Sequence, residues 1–192
     1  MNYNLKSYKE IRLKILEGKC SVSETVNNTL DKISDIDPSI HAFVNVDKKG
    51  SKFQALESDR RYSNNKPLSI IDGCPFVVKD MINTKDLPTE MNNNYYSGWH
   101  APVDAACVNS LKNAGAILIG KTVTTPFAVG HTNETRNPHD TSRTPGGSSS
   151  GSGAAVGAGI VPLALGTQTR GSLLRPASFC GAIGFKPSLN SL

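Results

Sequence analysis

The chain has 192 residues, which suits one domain of ordinary size with a hydrophobic core. Its formal net charge is +5, but the basic residues are scattered and form no run or stripe, which argues against direct nucleic-acid binding. The sequence shows no signal-peptide pattern and no apolar run of about 18 residues, so it predicts a cytoplasmic protein without a membrane span. The four cysteines are widely spaced, so we expect reduced thiols and neither a zinc site nor a redox pair.

Two helices are predicted at the start of the chain, as peripheral packing elements within residues 1–40. Apolar residues at helical spacing indicate the first helix over residues 5–16, and Gly18 is placed to stop it. The second helix begins at Ser21, which has capping-box spacing to Glu24. Its apolar repeat is expected to end at Asp37-Pro38.

Apolar segments of strand composition then alternate with helical segments. The predicted strands lie at residues 41–46, 75–79, 116–119 and 161–165, with a further short piece at Ile70 and Ile71 before the Asp72-Gly73 turn. The predicted helices lie at residues 51–61, 104–114 and 151–159. This alternation predicts a layered α/β core.

Residues 115–122 match the P-loop pattern by letter, yet we reject nucleotide binding there. A P-loop needs its four middle residues in a loop that surrounds phosphate, followed by a helix. Here the middle four are Ala-Ile-Leu-Ile, which favour a strand, and residues 122–126 are poor helix material. The sequence therefore predicts an ordinary buried strand.

Two segments rich in glycine and serine are candidate site elements. Residues 144–153 have the composition of a flexible linker, but the segment is short and leads directly into small apolar residues and a strand. Ser172 follows a strand and a glycine-containing turn, where a hydroxyl can lie beside backbone N–H groups as an oxyanion hole requires. From the residues alone, Ser172 is equally placed to cap a helix.

Several ordered blocks together resemble the amidase-signature family over nearly the whole chain from the second helix onward. The blocks are Val77-Val-Lys-Asp, Pro145-Gly-Gly-Ser-Ser-Ser-Gly-Ser, Gly171-Ser and Phe179-Cys-Gly-Ala-Ile-Gly-Phe-Lys-Pro. The resemblance implies a layered α/β fold with a mixed central sheet flanked by helices, and a catalytic core at residues 68–192. Family catalytic domains are more than twice as long, so we expect residues 1–192 to be the N-terminal part of a single domain that is incomplete at its C-terminus.

The resemblance also implies a Ser-Ser-Lys triad and an acyl-enzyme mechanism. Position by position, Lys79 corresponds to the base, Ser148 to a bridging serine after a cis peptide bond from Gly147, and Ser172 to the nucleophile. A lysine is a base only when neutral, and the apolar run before Lys79 favours the neutral form. Backbone N–H groups of residues 169–172 would stabilise the oxyanion, with substrate contacts at Thr169, Arg170 and Gly171. No metal or cofactor is implied, and the histidines show no ligand spacing.

Arg170 departs from the family pattern, in which many members carry glycine or alanine. A positive φ would be costly for arginine, and its side chain is expected to reach the substrate channel and favour an anionic group. Three functions stay open: an amidase acting on a small carboxamide, the A-type subunit of a tRNA-dependent amidotransferase, and a catalytically silent truncated remnant. The partners expected are a small amide substrate and either a second copy of the chain or an amidotransferase partner subunit, with no membrane.

Overall fold

The computed structural model describes residues 7–188, in which helices flank a four-stranded mixed sheet. The helices are α1 Tyr8–Leu16, α2 Val22–Ile40, α3 Lys48–Ser63, α4 Ala106–Asn113, α5 Ser150–Gly157 and α6 Leu174–Phe179. The strands are β1 Phe43–Val46, β2 Pro75–Lys79, β3 Ile117–Thr122 and β4 Leu163–Leu165. Two short 3-10 helices lie at Asn94–Tyr96 and Pro126–Ala128. The predicted layered α/β fold is confirmed.

The strand order β1-β3-β2-β4 places β2 in the interior of the sheet. β2 runs parallel to both β3 and β4, whereas β1 pairs with β3 in the antiparallel sense. Because parallel neighbours end at the same edge, the residues that follow β2 and β4 lie close together. This edge receives the candidate site residues, and the mixed sheet that the family resemblance implies is confirmed.

Both predicted N-terminal helices form, but α2 is longer than the sequence indicated. Ser21 and Glu24 make the capping box, and α2 continues past Pro38 to Ile40, so the predicted end at Asp37-Pro38 is wrong. Ile40 is fully buried, and burial of such a side chain stabilises the last turn by about 1.5 to 3 kcal/mol. His41 then closes the helix in the left-handed region. Of the predicted first helix, residues 5–6 lie outside the described residues.

The strand piece expected at Ile70 and Ile71 is a turn instead. The Asp72 carboxylate accepts a hydrogen bond from the Leu68 N–H at 2.8 Å and a bidentate pair from Arg61 at 2.7 and 2.8 Å. These contacts bend residues 68–72 around one buried carboxylate, and Ile70 is left 74% exposed. The arginine lies on α3, and local apolar pattern alone does not show such a contact.

Alternation along β2 divides the core into two clusters, one on each face of the sheet. Val77 packs with α2 and α5, whereas Phe76 and Val78 pack with Leu118 and the α4 residue Val108. Side chains two apart on a strand share a face, so Lys79 is on the face of Val77, toward α5. The register of the core therefore determines where the lysine points.

Helix α5 approaches its neighbours backbone to backbone. A Cβ on Gly151 would lie 2.1 Å from the Ala42 carbonyl oxygen, and a Cβ on Gly157 would lie 2.2 Å from the Cys180 carbonyl oxygen. Real Cβ atoms do not approach other atoms so closely, so glycine is required at both positions. Residues 150–153 of the serine- and glycine-rich segment are therefore part of a tightly packed helix rather than of a flexible linker.

The P-loop match is a strand, as the sequence predicts, because residues 117–122 are β3. Lys121 is fully buried and donates to the Ile82 carbonyl oxygen, Thr84 and Thr89 at 2.7 to 3.1 Å. It also pairs with Asp80 at 3.3 Å. The Lys121 side chain is thus bound by internal partners and does not face a phosphate site. Across residues 7–188, no helix is long and apolar enough to cross a bilayer.

Candidate active site

Lys79 ends the interior strand β2 and is fully buried. Its Nζ donates to the Ser148 Oγ at 2.7 Å and to the Thr167 Oγ1 at 2.6 Å. Val78 pairs with Leu165 across the parallel strands, so the segment that follows β4 emerges beside Lys79. The sheet edge therefore brings together one amine and two hydroxyls from distant parts of the sequence.

The electrostatic setting of Lys79 favours a neutral amine. Burial lowers its pKa from the ordinary 10.5 to about 8. Within the described part of the chain, no carboxylate forms an ion pair with Lys79, whereas the other fully buried lysine, Lys121, pairs with Asp80 at 3.3 Å. A lysine without a counter-ion in an apolar setting is able to accept a proton near neutral pH.

Ser148 is buried at the entry to α5. The peptide bond between Gly147 and Ser148 is cis, as the family resemblance implies. The Ser148 carbonyl oxygen accepts from the Thr125 N–H at 3.2 Å, and the Gly147 carbonyl oxygen accepts from the Arg175 Nε at 3.0 Å. These backbone contacts hold both sides of the peptide bond, so the Ser148 hydroxyl is presented to Lys79 from a fixed backbone.

Ser172 lies beside this pair through its backbone. The Ser149 N–H donates to the Ser172 carbonyl oxygen at 3.0 Å, which joins the two serine segments. Within residues 7–188, the Ser172 hydroxyl makes no hydrogen bond, so it is not joined to Ser148 by one. The structure thus brings Lys79 and Ser148 into contact. Ser172 is half-buried, and its hydroxyl has no hydrogen-bond partner among the described residues.

The alternative role of Ser172 as a helix cap is wrong. Helix α6 begins at Leu174, and its first N–H groups are bound by another side chain. The Gln168 Oε1 accepts from the Leu173 N–H at 3.1 Å and from the Leu174 N–H at 2.9 Å. Because Gln168 caps the helix, Ser172 is available for chemistry.

The turn before Ser172 presents free backbone donors. In the described structure, the N–H groups of residues 169–172 have no hydrogen-bond acceptor. Successive unpaired N–H groups form a concave site for negative charge, which an oxyanion hole requires. Thr169 and Arg170 are exposed, Gly171 is half-buried, and Arg170 does not adopt a positive φ. The arginine therefore fits the turn without the conformational cost expected from its sequence.

Four side chains in and around this site were not singled out from the sequence: Ser149, Thr167, Gln168 and Arg175. Thr167 is the easiest of them to find once the strand pairing is known. It follows β4, and the parallel pairing of β4 with β2 brings the ends of the two strands together beside Lys79. Ser149 exchanges hydrogen bonds with the Thr167 backbone at 3.2 and 3.3 Å. Thr167 contacts Lys79 itself, and the other three residues hold the segments that carry Ser148 and Ser172.

Cys180 follows α6 and packs beneath the serine segment. Its Sγ donates to the Pro145 carbonyl oxygen at 3.6 Å, and burial raises the pKa of the thiol to about 12. The unreactive thiol form is therefore favoured, and packing accounts for this cysteine. Over residues 7–188, no three His, Cys, Asp or Glu side chains cluster in a way that could hold a metal ion.

The chain matches known proteins over most of its length. The Amidase family model matches residues 24–192. The A-type subunit of the glutamyl-tRNA(Gln) amidotransferase of Thermobifida fusca is 41% identical over 185 residues, which are 93% of this chain and 37% of the relative.

Two solved structures have the same fold over this region. One chain, from a vestigial protein complex that reveals the evolutionary origins of an s-triazine catabolic enzyme, has a TM-score of 0.88 and 37% identity, covering 92% of this chain and 40% of that one. The peptide amidase of Stenotrophomonas maltophilia has a TM-score of 0.84 and 28% identity, covering 91% and 38%. The chain thus spans about two fifths of the length of these relatives.

Proposed function

Because the chain belongs to the amidase family, we propose that it hydrolyses the C–N bond of a carboxamide through Lys79, Ser148 and Ser172. The observation that carries this proposal is the contact of 2.7 Å between the Lys79 Nζ and the Ser148 Oγ. Lys79 is buried and has no carboxylate partner among the described residues. Ser148 directly precedes Ser149, whose N–H donates to the Ser172 carbonyl oxygen. A structural lysine would gain stability from a counter-ion, and this one has only hydroxyl partners among the described residues.

The proposed reaction begins with neutral Lys79 as the base. Ser148 passes the proton of the Ser172 hydroxyl to Lys79 while the Ser172 Oγ attacks the amide carbonyl carbon. The N–H groups of residues 169–172 stabilise the oxyanion of the tetrahedral intermediate. The C–N bond then breaks, the nitrogen receives the proton back from Lys79 through Ser148, and an acyl-enzyme on Ser172 is left. Water, deprotonated by the same relay, hydrolyses this ester and frees Ser172.

The proposed relay needs a hydrogen bond between the Ser148 and Ser172 hydroxyls. The Ser172 hydroxyl makes no hydrogen bond with another described residue, and a change of its side-chain torsion reorients it without moving the backbone. Catalytic hydrogen bonds are often loose without substrate and tighten when substrate is bound. We therefore infer that the hydrogen bond between Ser148 and Ser172 forms when substrate binds.

For the substrate, we propose a small linear carboxamide handled in the cytoplasm. Arg170 is exposed on the oxyanion turn, so a substrate with an acidic group is favoured by charge. A second candidate is the A-type subunit of a tRNA-dependent amidotransferase, and the 41% identity to the Thermobifida fusca protein favours it. Stable co-purification with a second subunit supports this candidate, whereas a homodimer or monomer with independent amide turnover supports the first.

The test of the proposal is covalent labelling of the protein expressed from its complete reading frame. A fluorophosphonate should label Ser172, and Ser172→Ala should abolish both the label and amide turnover. Lys79→Ala should lower turnover by about 100-fold or more, because a general base is lost. The matched control is Ser178→Ala, an exposed serine on α6 that should keep wild-type activity. Labelling that persists in Ser172→Ala contradicts the assignment, and an unlabelled wild-type protein identifies a silent remnant.

A further inference from the structure

We propose that Arg175 is a positioning residue for the proposed reaction and sets the distance between the hydroxyls of Ser148 and Ser172. The inference rests on the proposed function and assigns to Arg175 the alignment of these two hydroxyls. It begins from the contacts that this one residue makes with the backbones of both serine segments.

Arg175 binds the carbonyl oxygens of the two residues that precede the serines. Its Nε and Nη2 donate to the Gly147 carbonyl oxygen at 3.0 and 2.5 Å, and Gly147 directly precedes Ser148. Its backbone N–H donates to the Gly171 carbonyl oxygen at 2.8 Å, and Gly171 directly precedes Ser172. One residue therefore connects the bridging serine with the turn that carries the nucleophile.

The guanidinium group of Arg175 is bound to this carbonyl oxygen instead of a carboxylate. Over residues 7–188 it forms no ion pair, whereas the exposed Arg60 and Arg143 each pair with an acidic residue three positions earlier. A guanidinium presents its N–H groups in a rigid, planar fork. Because two N–H groups of the fork converge on one oxygen, they restrict the position of that oxygen more narrowly than a single donor does.

Helix α6 lies close against the segment that carries the bridging serine, so the arginine acts from a fixed backbone. A Cβ built on Gly146 would lie 3.2 Å from the Pro176 Cα, and a Cβ on Gly153 would lie 2.9 Å from the Pro176 carbonyl oxygen. The residue after Arg175 thus lies close to the backbone at both places. From this support the arginine side chain holds the serine segment at a set distance from α6.

The distance between the two serines matters because the proposed relay needs a hydrogen bond between them. The Ser148 hydroxyl is bound to Lys79, whereas the Ser172 hydroxyl has no partner among the described residues. Two hydroxyl oxygens form a hydrogen bond at about 2.5 to 3.0 Å, and a misplacement of about 1 Å can slow a reaction about 100-fold. Loss of the arginine contact should therefore slow the chemical step and leave substrate affinity unchanged.

Two variants of Arg175 separate positioning from charge. Arg175→Ala removes the whole fork and keeps a residue that favours a helix. Arg175→Lys keeps the positive charge and one donor group but loses the fork. Arg60→Met is the matched control, because Arg60 is an exposed arginine on α3 whose side chain pairs with Glu57.

The experiment measures kcat and KM for amide hydrolysis, with the protein expressed from its complete reading frame and its active sites counted by complete fluorophosphonate labelling. We expect Arg175→Ala to lower kcat per labelled site about tenfold or more and to change KM less than about twofold. Arg175→Lys should give a kcat between those of Arg175→Ala and wild type, and Arg60→Met should match wild type. If Arg175→Ala does not fold, Arg175→Lys carries the same comparison.

Free guanidinium ion supplies the test that a mere charge contact would pass. It can bind the exposed carbonyl oxygen in Arg175→Ala, but it cannot join that oxygen to α6, so millimolar guanidinium chloride should not restore kcat. Restored kcat, a loss confined to KM, or an unchanged kcat in Arg175→Ala overturns the Arg175 inference alone. A wild-type protein that is neither labelled nor active on amides overturns the proposed function as well.

Discussion

Replacing Lys79 with methionine should stabilise the protein at neutral pH while removing its proposed base. Burial lowers the pKa of Lys79 from 10.5 to about 8, and one pKa unit corresponds to about 1.4 kcal/mol. Below pH 8 the native state therefore bears a cost of about 3 kcal/mol for this lysine. Between pH 8 and 10.5 the unfolded chain binds more protons than the native one, so the cost declines as the pH rises, to about 1 kcal/mol at pH 10.

The hydrogen bonds from Lys79 to Ser148 and Thr167 offset part of this gain. Each contributes about 1 kcal/mol, so Lys79→Met should be more stable than wild type by about 1 kcal/mol at pH 7. At pH 10 the same variant should be less stable by about 1 kcal/mol. The change of sign with pH is specific to a lysine whose pKa is lowered in the folded state.

Urea unfolding at pH 7 and pH 10 measures both values, and Lys121→Met is the matched control. Lys121 is equally buried but pairs with Asp80, so its removal leaves a buried carboxylate and should cost about 3 to 5 kcal/mol at pH 7. If Lys79→Met shows the same stability difference from wild type at both pH values, folding does not lower the pKa of the lysine. The argument for its role as a base then fails.

Two further predictions concern catalysis. The value of kcat/KM should rise about tenfold between pH 7 and pH 9, because the neutral fraction of Lys79 grows from about one tenth to about nine tenths around a pKa of about 8; a flat profile over this range contradicts a lysine base. Arg170→Ala should reduce kcat/KM for acidic amides about tenfold more than for neutral ones, since a charge-assisted hydrogen bond contributes about 1.5 to 3 kcal/mol. Equal reductions for the two substrate classes refute the charge argument.

Much of the fold followed from local pattern, and the exceptions have tertiary causes. The capping box at Ser21 and the buried runs that became β2 and β3 are local signals, and they placed these elements correctly. The end of α2 was misplaced because burial of Ile40 outweighs the preference of Pro38 to terminate a helix. The turn at Ile70 depends on a carboxylate bound by an arginine from α3, and such long-range contacts have no local signature.

Some residues of the site could also be predicted from the sequence, and others required the structure. The motif resemblance located Lys79, Ser148 and Ser172, and the structure brings the first two into contact. The contact of Thr167 with Lys79 could be identified only from the parallel pairing of β2 and β4.

The close backbone packing of α5 has a practical consequence for changing the selectivity of this protein. Variants at Gly151 or Gly157 place a Cβ about 2 Å from a carbonyl oxygen, so a library randomised there should lose most of its folded members. Directed evolution toward new amides should therefore keep α5 constant.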